Sequence, residues 1–235
     1  MKRLLALGAL GCAWAALGAG TAGATNECRG LLVCVPVAGP WVVVPAQSRR
    51  VEFLLRCPRG YVVGGLDAEL TNRALDITFL GYTGSPVNPG VTTTRDAVFL
   101  ALYTGAARRV TTFRPHIGCL PAQGGGGGAP PAFRAPAAVF PPARPAVRRV
   151  KTIPVVPGAV RRAVHACARD EHLLSASHAV GFYTQRPPVD ALIAGVSVSR
   201  SVREGRIHVA VSATDAVFGA RAVVQVHAVC AGGSP

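Results

Sequence analysis

The spacing of four cysteines is the strongest constraint on the fold of this chain. Cys57 and Cys119 are 62 residues apart, and Cys167 and Cys230 are 63 residues apart. Each interval is preceded by a Val-Pro dipeptide and an Arg-Arg pair, and each closes on a histidine followed three residues later by the cysteine. Three features in the same order in both intervals indicate two copies of one structural unit.

A low-complexity stretch separates the two copies. It reads "PAQGGGGGAPPAFRAPAAVFPPARPAVRR" and runs from Pro121 to Arg149. Consecutive glycines do not favour one backbone conformation, and the Pro-Ala part favours an extended chain. The sequence therefore predicts a linker over 121–149, with a first unit at 49–120 and a second unit at 150–235.

The first 24 residues have the pattern of a secretory signal peptide. Lys2 and Arg3 precede a mostly apolar stretch, and Ala22-Gly23-Ala24 offers a small-residue cleavage site. We predict a signal peptide at 1–24 and a secreted product, whether extracellular, on the cell surface or periplasmic. The segment 25–48 then begins the mature chain. No later apolar run approaches the roughly 20 residues that span a bilayer, so no membrane span is expected after cleavage.

In an oxidising compartment the cysteine count predicts a disulfide framework. Cleavage after Ala24 removes Cys12 and leaves six cysteines, an even number. A unit of about 80 residues buries little apolar surface, and closing a loop of about 60 residues contributes roughly 4 kcal/mol in the chain-entropy model. We therefore predict two long-range bridges and, by elimination, one short one: Cys57–Cys119, Cys167–Cys230 and Cys28–Cys34.

Alternation of apolar and polar residues predicts an all-β fold. In "GRIHVAVSA", Ile207, Val209 and Val211 alternate with smaller or polar residues, and the stretch Leu192 to Ser199 alternates similarly. In the first unit, "LDITFLGY" and "DAVFLALY" flank the turn-rich "TGSPVNPG". We expect two tandem antiparallel β-sandwich units, jelly-roll or immunoglobulin-like, each closed by a long-range disulfide.

The first unit resembles a module found in secreted bacterial proteins of mostly unknown function. The stretch "CPRGYVVGGLDAEL" at 57–70 carries the resemblance through its opening Cys-Pro-x-Gly and its Gly-Gly pair. The likeness covers about 65 residues of the first unit; in the second, "CARDEHLLSASHAV" lacks the proline and the glycines. The resemblance implies an extracellular β-domain and no catalytic residues.

The two histidines beside the closing cysteines raise the question of metal or redox chemistry. In a strand, His116 has the opposite parity to Cys119, and His227 has the opposite parity to Cys230. The cysteines belong on the inward face, so we predict that both histidines point outward to the surface.

The sequence contains no recognisable catalytic motif. A nucleophile elbow and a phosphate-binding glycine loop are both missing, and Asp67 and Glu69, on one strand face, have no surroundings that separate an acid from a base. His165, His172 and His178 flank Cys167, but a disulfide would consume its thiolate. We expect no catalytic residue, no metal and no cofactor. The alternative is a secreted hydrolase or metal-binding protein that uses this histidine-rich second unit.

The charge of the chain points to an anionic partner. The formal net charge is +14, and after removal of residues 1–24 the only lysine is Lys151. Guanidinium groups favour bidentate contacts with phosphate, sulfate or carboxylate. An alternative is that these arginines reflect coding bias and are solvated surface. Dispersed aromatic residues argue against nucleic acid. We predict a non-enzymatic structural or binding protein that engages an anionic polysaccharide or other envelope polyanion through paired arginines: Arg49, Arg50, Arg108, Arg109, Arg161 and Arg162.

Overall fold

The structure, a computed structural model, describes residues 25–46, 50–80, 95–105, 110–122 and 146–232. The predicted signal peptide, the "TGSPVNPG" loop and most of the predicted linker lie outside the described residues, as do Arg49, Arg108 and Arg109. The described chain is all-β apart from one short helix and one 3-10 turn. The all-β class predicted from the alternating patterns is confirmed.

The strands form where apolar residues alternate or run together. In the strand Arg206–Ala213, Ile207, Val209 and Val211 are buried while Arg206 and His208 are exposed. The strands are, in chain order, β1 Val35–Ala38, β2 Trp41–Val44, β3 Arg50–Arg56, β4 Tyr61–Leu70, β5 Leu75–Leu80, β6 Asp96–Tyr103, β7 Thr111–Pro121, β8 Val147–Pro154, β9 Val160–Ala166, β10 Glu171–Phe182, β11 Val196–Arg203, β12 Arg206–Ala213 and β13 Ala222–Gly232, with helix α1 at Asp190–Ala194 and a 3-10 turn at Asp215–Val217.

Two local predictions are wrong at their boundaries. The stretch predicted as a strand from Leu192 begins instead as helix α1, in which Leu192 and Ile193 donate backbone hydrogen bonds to the carbonyl of Val189 and pack on the second core. Strand β11 starts only at Val196. The predicted linker also ends too late, because β8 begins at Val147.

The same strand order occurs in both halves of the chain. In the first half β3, β6 and β5 form one sheet and β4 pairs with β7; in the second half β9, β12 and β11 form one sheet and β10 pairs with β13. Strand β7 also pairs with β1 and β2, and β13 also pairs with β8. The order and pairing of the five strands β3 to β7 in the first half are therefore the same as those of β9 to β13 in the second.

Strand β2 joins the two halves into one sheet. It pairs with β7 through Val42, Val43 and Val44, and with β10 through Trp41 and Val42. The result is a seven-stranded sheet that contains strands from both halves. The predicted N-terminal segment 25–48 therefore contributes β1 and β2 to the shared sheet.

The shared sheet carries a hydrophobic core on each face. Val42 and Val44 lie in the core beneath the β3–β6–β5 sheet, whereas Val43 lies in the core beneath the β9–β12–β11 sheet. Successive strand residues point to opposite faces, so the two smaller sheets pack on opposite sides of the shared one. The first core contains Phe53, Phe99, Phe113 and Ile117, and the second contains Phe182, Ile207, Val211 and Val224.

The three disulfides of the structure are the pairs predicted from the sequence. Cys57–Cys119 and Cys167–Cys230 each have Cα atoms 5.7 Å apart, and Cys28–Cys34 has them 5.6 Å apart. Each long-range bridge starts just after the first strand of a smaller sheet and ends in a strand of the shared sheet. The bridges therefore tie the two layers of each half together.

Candidate functional site

The outward face of the β9–β12–β11 sheet is the most distinctive charged surface among the described residues. Its direction follows from alternation, since the odd-numbered residues of β12 enter the second core. The ladder aligns Arg203 with Arg206, and Ser201 with His208 and Val164. Arg162 lies opposite Ala210, on the same face of β9.

This outward face carries cations and hydroxyls and no carboxylate. Its twelve strand positions are Val160, Arg162, Val164, Ala166, Ser197, Ser199, Ser201, Arg203, Arg206, His208, Ala210 and Ser212. An open groove of about 530 Å³ runs over it and is lined by residues of all three strands, including Arg162 and His208. The nearest acid in sequence is Glu204, in the hairpin turn between β11 and β12. We call this surface the cationic face.

The predicted pair Arg161 and Arg162 is divided between the two faces of β9, and it is the one predicted pair of which both residues are described. Arg161 and Arg162 are adjacent in β9, so one side chain lies on the inward side of the sheet and the other on the cationic face. Their guanidinium groups cannot converge on one anion from opposite faces. The two arginines are adjacent in the sequence, but consecutive side chains of a strand lie on opposite faces of the sheet.

Several other arginines are neutralised within the protein. Arg50 lies 3.1 Å from Glu52, which also accepts a hydrogen bond from Arg148. Arg149 donates two bonds of 2.6 Å to Glu171. Those bonds, with the backbone N–H of Ala168, lower the pKa of Glu171 to about 2. Arg50 is therefore a weaker candidate for an external anion than the arginines of the cationic face.

The topologically equivalent face in the first half has a different character. Its arginines are paired with acids, Arg50 with Glu52 and Arg56 with Asp96, and Glu52 also pairs with Arg148 of β8. The even-numbered positions of β3 and β6 are Arg50, Glu52, Leu54, Arg56, Asp96, Val98, Leu100 and Leu102, and Glu52, Val98 and Leu100 among them are buried. The cationic composition is consequently not a requirement of this topology. At the described strand positions of the first half, arginines occur together with acids.

The prediction that His116 points outward to the surface is wrong. Its side chain is only 7% exposed, with Nε2 2.8 Å from Glu69 Oε1 and Nδ1 3.6 Å from Glu27 Oε1. Arg114 lies 3.8 Å from the same oxygen of Glu69. Parity correctly separates His116 from Cys119, but the opposite face of β7 is covered as well. No sequence pattern links Glu27 to His116, because the two residues meet only in the folded chain.

The cover over His116 is the segment 25–34, and two glycines make room for it. A Cβ atom on Gly65 or on Gly118 would overlap the backbone carbonyl of Glu27. The same Cβ on Gly118 would lie 2.8 Å from the Sγ of Cys34. Gly65 belongs to the Gly-Gly pair of the resemblance motif, so in this chain that part of the motif serves to seat the N-terminal disulfide loop.

The prediction that His227 points outward is also wrong. Its side chain is fully buried, because β3 packs across this face of the shared sheet. Its Nε2 lies 3.2 Å from Gln225 Oε1, and Gln225 bonds both the N–H and the carbonyl of Leu54 in β3. Burial, followed by the charges of Arg148 and His165, lowers the pKa of His227 to about 3. His227 is therefore a neutral residue of the interior.

The three histidines near Cys167 do not converge. His165 lies 3.0 Å from the carbonyl of Arg149, and His178 is half-buried, with a pKa lowered by burial and by Arg200. The register shift between Leu173 and Ser175 reverses the side-chain parity of β10, so exposed His172 points away from His178. Among the described residues the one group of three potential metal donors is Cys167, Glu171 and Cys230, and a disulfide joins its two sulfurs.

Comparisons with known proteins do not indicate a family or a function for this chain. Within the described ranges, no helix has the length and apolar character that crossing a membrane requires. A scan of protein-family models, a search of curated proteins and a search of solved structures each found no match to this chain.

Proposed function

We propose that this chain is a secreted, non-enzymatic binding protein that engages an anionic polymer, such as an acidic polysaccharide of the cell envelope, through the cationic face. The observation that carries the proposal is the composition of that face. Arg162, Arg203 and Arg206 share it with His208 and a row of serines, and none of its strand positions is acidic.

The arrangement suits an extended ligand with repeated charges. Arg206 and Ala210 are four residues apart in β12, about 13 Å along a strand, and Arg162 lies opposite Ala210. Arg162 and Arg203 line the groove, and Arg206 lies opposite Arg203 on the neighbouring strand, so the arginines form two groups along the cationic face. Each guanidinium can donate a bidentate pair of hydrogen bonds to a carboxylate, sulfate or phosphate. The serine hydroxyls between them can bond neutral groups of a polymer chain.

The first half of the chain serves as an internal comparison. The described strand positions of the equivalent face carry acids as well as arginines, and Arg50 and Arg56 pair with Glu52 and Asp96, so an acid-free cationic face is not built there. We also propose that the two halves are diverged copies of one β-sandwich unit that share the seven-stranded sheet. The matched strand orders and cysteine intervals support that duplication.

Binding measurements on arginine variants test the proposed function. We expect the purified protein to bind heparin and polygalacturonate, and we expect Arg162→Gln/Arg203→Gln/Arg206→Gln to weaken both affinities by roughly tenfold or more, since charge-assisted bonds are lost. The matched control is Arg59→Gln/Arg73→Gln/Arg186→Gln, which removes the same charge from exposed sites elsewhere. Arg161→Gln, the inward neighbour of Arg162, should bind like the wild type.

The two triple variants distinguish binding by the cationic face from attraction by the net positive charge of the whole protein. If both triple variants lose affinity equally, net charge rather than the cationic face attracts the polymer. If neither loses affinity, the proposed function is wrong.

A further inference from the structure

The N-terminal disulfide loop presents an apolar tip to solvent. Leu32 is fully exposed and Val33 is 61% exposed, and both lie between the bridged residues Cys28 and Cys34. Leu32 is the most exposed large hydrophobic side chain among the described residues. A tip of this kind has an unfavourable contact with water that a binding partner would remove.

The base of the loop is fixed, so the tip is a preformed feature and not a frayed end. The backbone of Asn26 donates a 2.5 Å bond to Asp67, and Glu27 is buried beside His116. Within the loop, the N–H of Arg29 bonds the carbonyl of Asn26, and the N–H of Leu31 bonds that of Cys28. These bonds reduce the cost of moving the backbone into an apolar medium. Gly65 and Gly118 lie directly under the backbone of Glu27, where any larger residue would clash, so the sheet surface is shaped to hold this loop.

The charges around the tip fit an anionic surface. Arg29 is exposed on the same loop, and the single acid between residues 25 and 35, Glu27, is buried beneath it. The chain as a whole carries a formal charge of +14. One or two inserted side chains hold a protein at a lipid interface weakly, and attraction to anionic headgroups supplies the second contribution.

We propose that the Cys28–Cys34 loop is a membrane-contact site, in which Leu32 and Val33 insert into the interface of a lipid surface with anionic headgroups. Arg29 lies at headgroup level in this arrangement. The site is separate from the cationic face and does not depend on the proposed polymer binding.

Vesicle binding by the protein isolated after export, with its N-terminal residue identified, tests the proposal. The probes are vesicles of phosphatidylglycerol with phosphatidylcholine, and of phosphatidylcholine alone. We expect co-sedimentation with the anionic vesicles, and we expect Leu32→Ser/Val33→Ser to reduce partitioning about tenfold or more. The matched control, Val189→Ser/Phe218→Ser, removes two comparably exposed apolar side chains elsewhere and should bind as the wild type does.

Two further measurements keep the result unambiguous. A Leu32→Trp variant should show blue-shifted emission and quenching by brominated lipid, which a purely electrostatic attachment would not produce. The Arg162→Gln/Arg203→Gln/Arg206→Gln variant should still insert at the tip. Absence of vesicle binding overturns the proposal, and so does equal binding by Leu32→Ser/Val33→Ser. Loss of a protein dimer in that variant, without any vesicle effect, would assign the tip to a protein contact instead.

Discussion

Val42 and Val43 are consecutive residues of β2, yet their side chains lie in different hydrophobic cores on opposite faces of one sheet. Val42 is fully buried in the first core, and Val43 is 6% exposed in the second. Because β2 also pairs with strands of both halves, the two cores cannot be separated without breaking this strand's pairing. The two halves should consequently unfold together.

Calorimetry of a Val43→Ala variant tests this coupling. We expect the wild type to unfold in a single transition, and we expect Val43→Ala to lower the stability of that whole transition by about 1 to 3 kcal/mol, because a cavity opens in a packed core. Val202→Ala, at a position that is 52% exposed, is the control and should change little. Two transitions, of which Val43→Ala shifts only one, would show that the halves fold independently.

The buried His227 predicts a loss of stability in mild acid. Its pKa of about 3 in the folded protein lies below the ordinary value of 6.5, so between these values the unfolded chain binds a proton that the folded protein does not. The contribution of this residue should be negligible above about pH 7 and should lower the stability as the pH decreases, by roughly 2 kcal/mol at pH 5. His178, whose pKa is also lowered, contributes in the same direction.

Denaturant titrations of wild type and His227→Gln between pH 7 and pH 5 measure this effect. Glu171, with a pKa of about 2, titrates below this window and does not interfere. We expect the variant to have a shallower dependence of unfolding free energy on pH than the wild type. Parallel curves for the two proteins would mean that His227 is accessible to protons in the folded state.

Gly65 predicts a specific local defect. In Gly65→Ala the new methyl group would overlap the carbonyl of Glu27, so the N-terminal segment must lift away from the sheet. We expect faster amide hydrogen exchange over residues 26–34 and in the neighbourhood of His116, while exchange in β12 and β13 stays unchanged. Unaltered exchange in the 26–34 segment would show that it does not rest on Gly65.

The sequence predicts the features of this fold that arise from local pattern. Alternation places Ile207, Val209 and Val211 in the second core, and the equal cysteine intervals predict the long-range disulfides. It does not predict the role of β2, because "WVVV" has no alternation and a short apolar run is ambiguous by periodicity. In the structure all four of its residues are buried, as expected for a strand covered on both faces.

The errors concerning the site arise where distant segments meet. The alternation of a strand predicts which face of the sheet His116 and His227 occupy. Whether that face is exposed to solvent depends on which distant segments pack against it. The segment 25–34 covers the first histidine and β3 covers the second. In the same way, Arg162 becomes part of a cationic face only when the register of three strands aligns it with Ala210 and Ser199.

The most direct test of the cationic face is to map the ligand on the protein by NMR. Titration of a carboxylated oligosaccharide into isotope-labelled protein should shift the resonances of Arg162, Ser199, Ser201, Arg203, Arg206 and His208, and should leave those of β3, β6 and β5 unchanged. Shifts confined to another surface, or none at concentrations that saturate binding, would contradict the assignment of this face as the polymer-binding site.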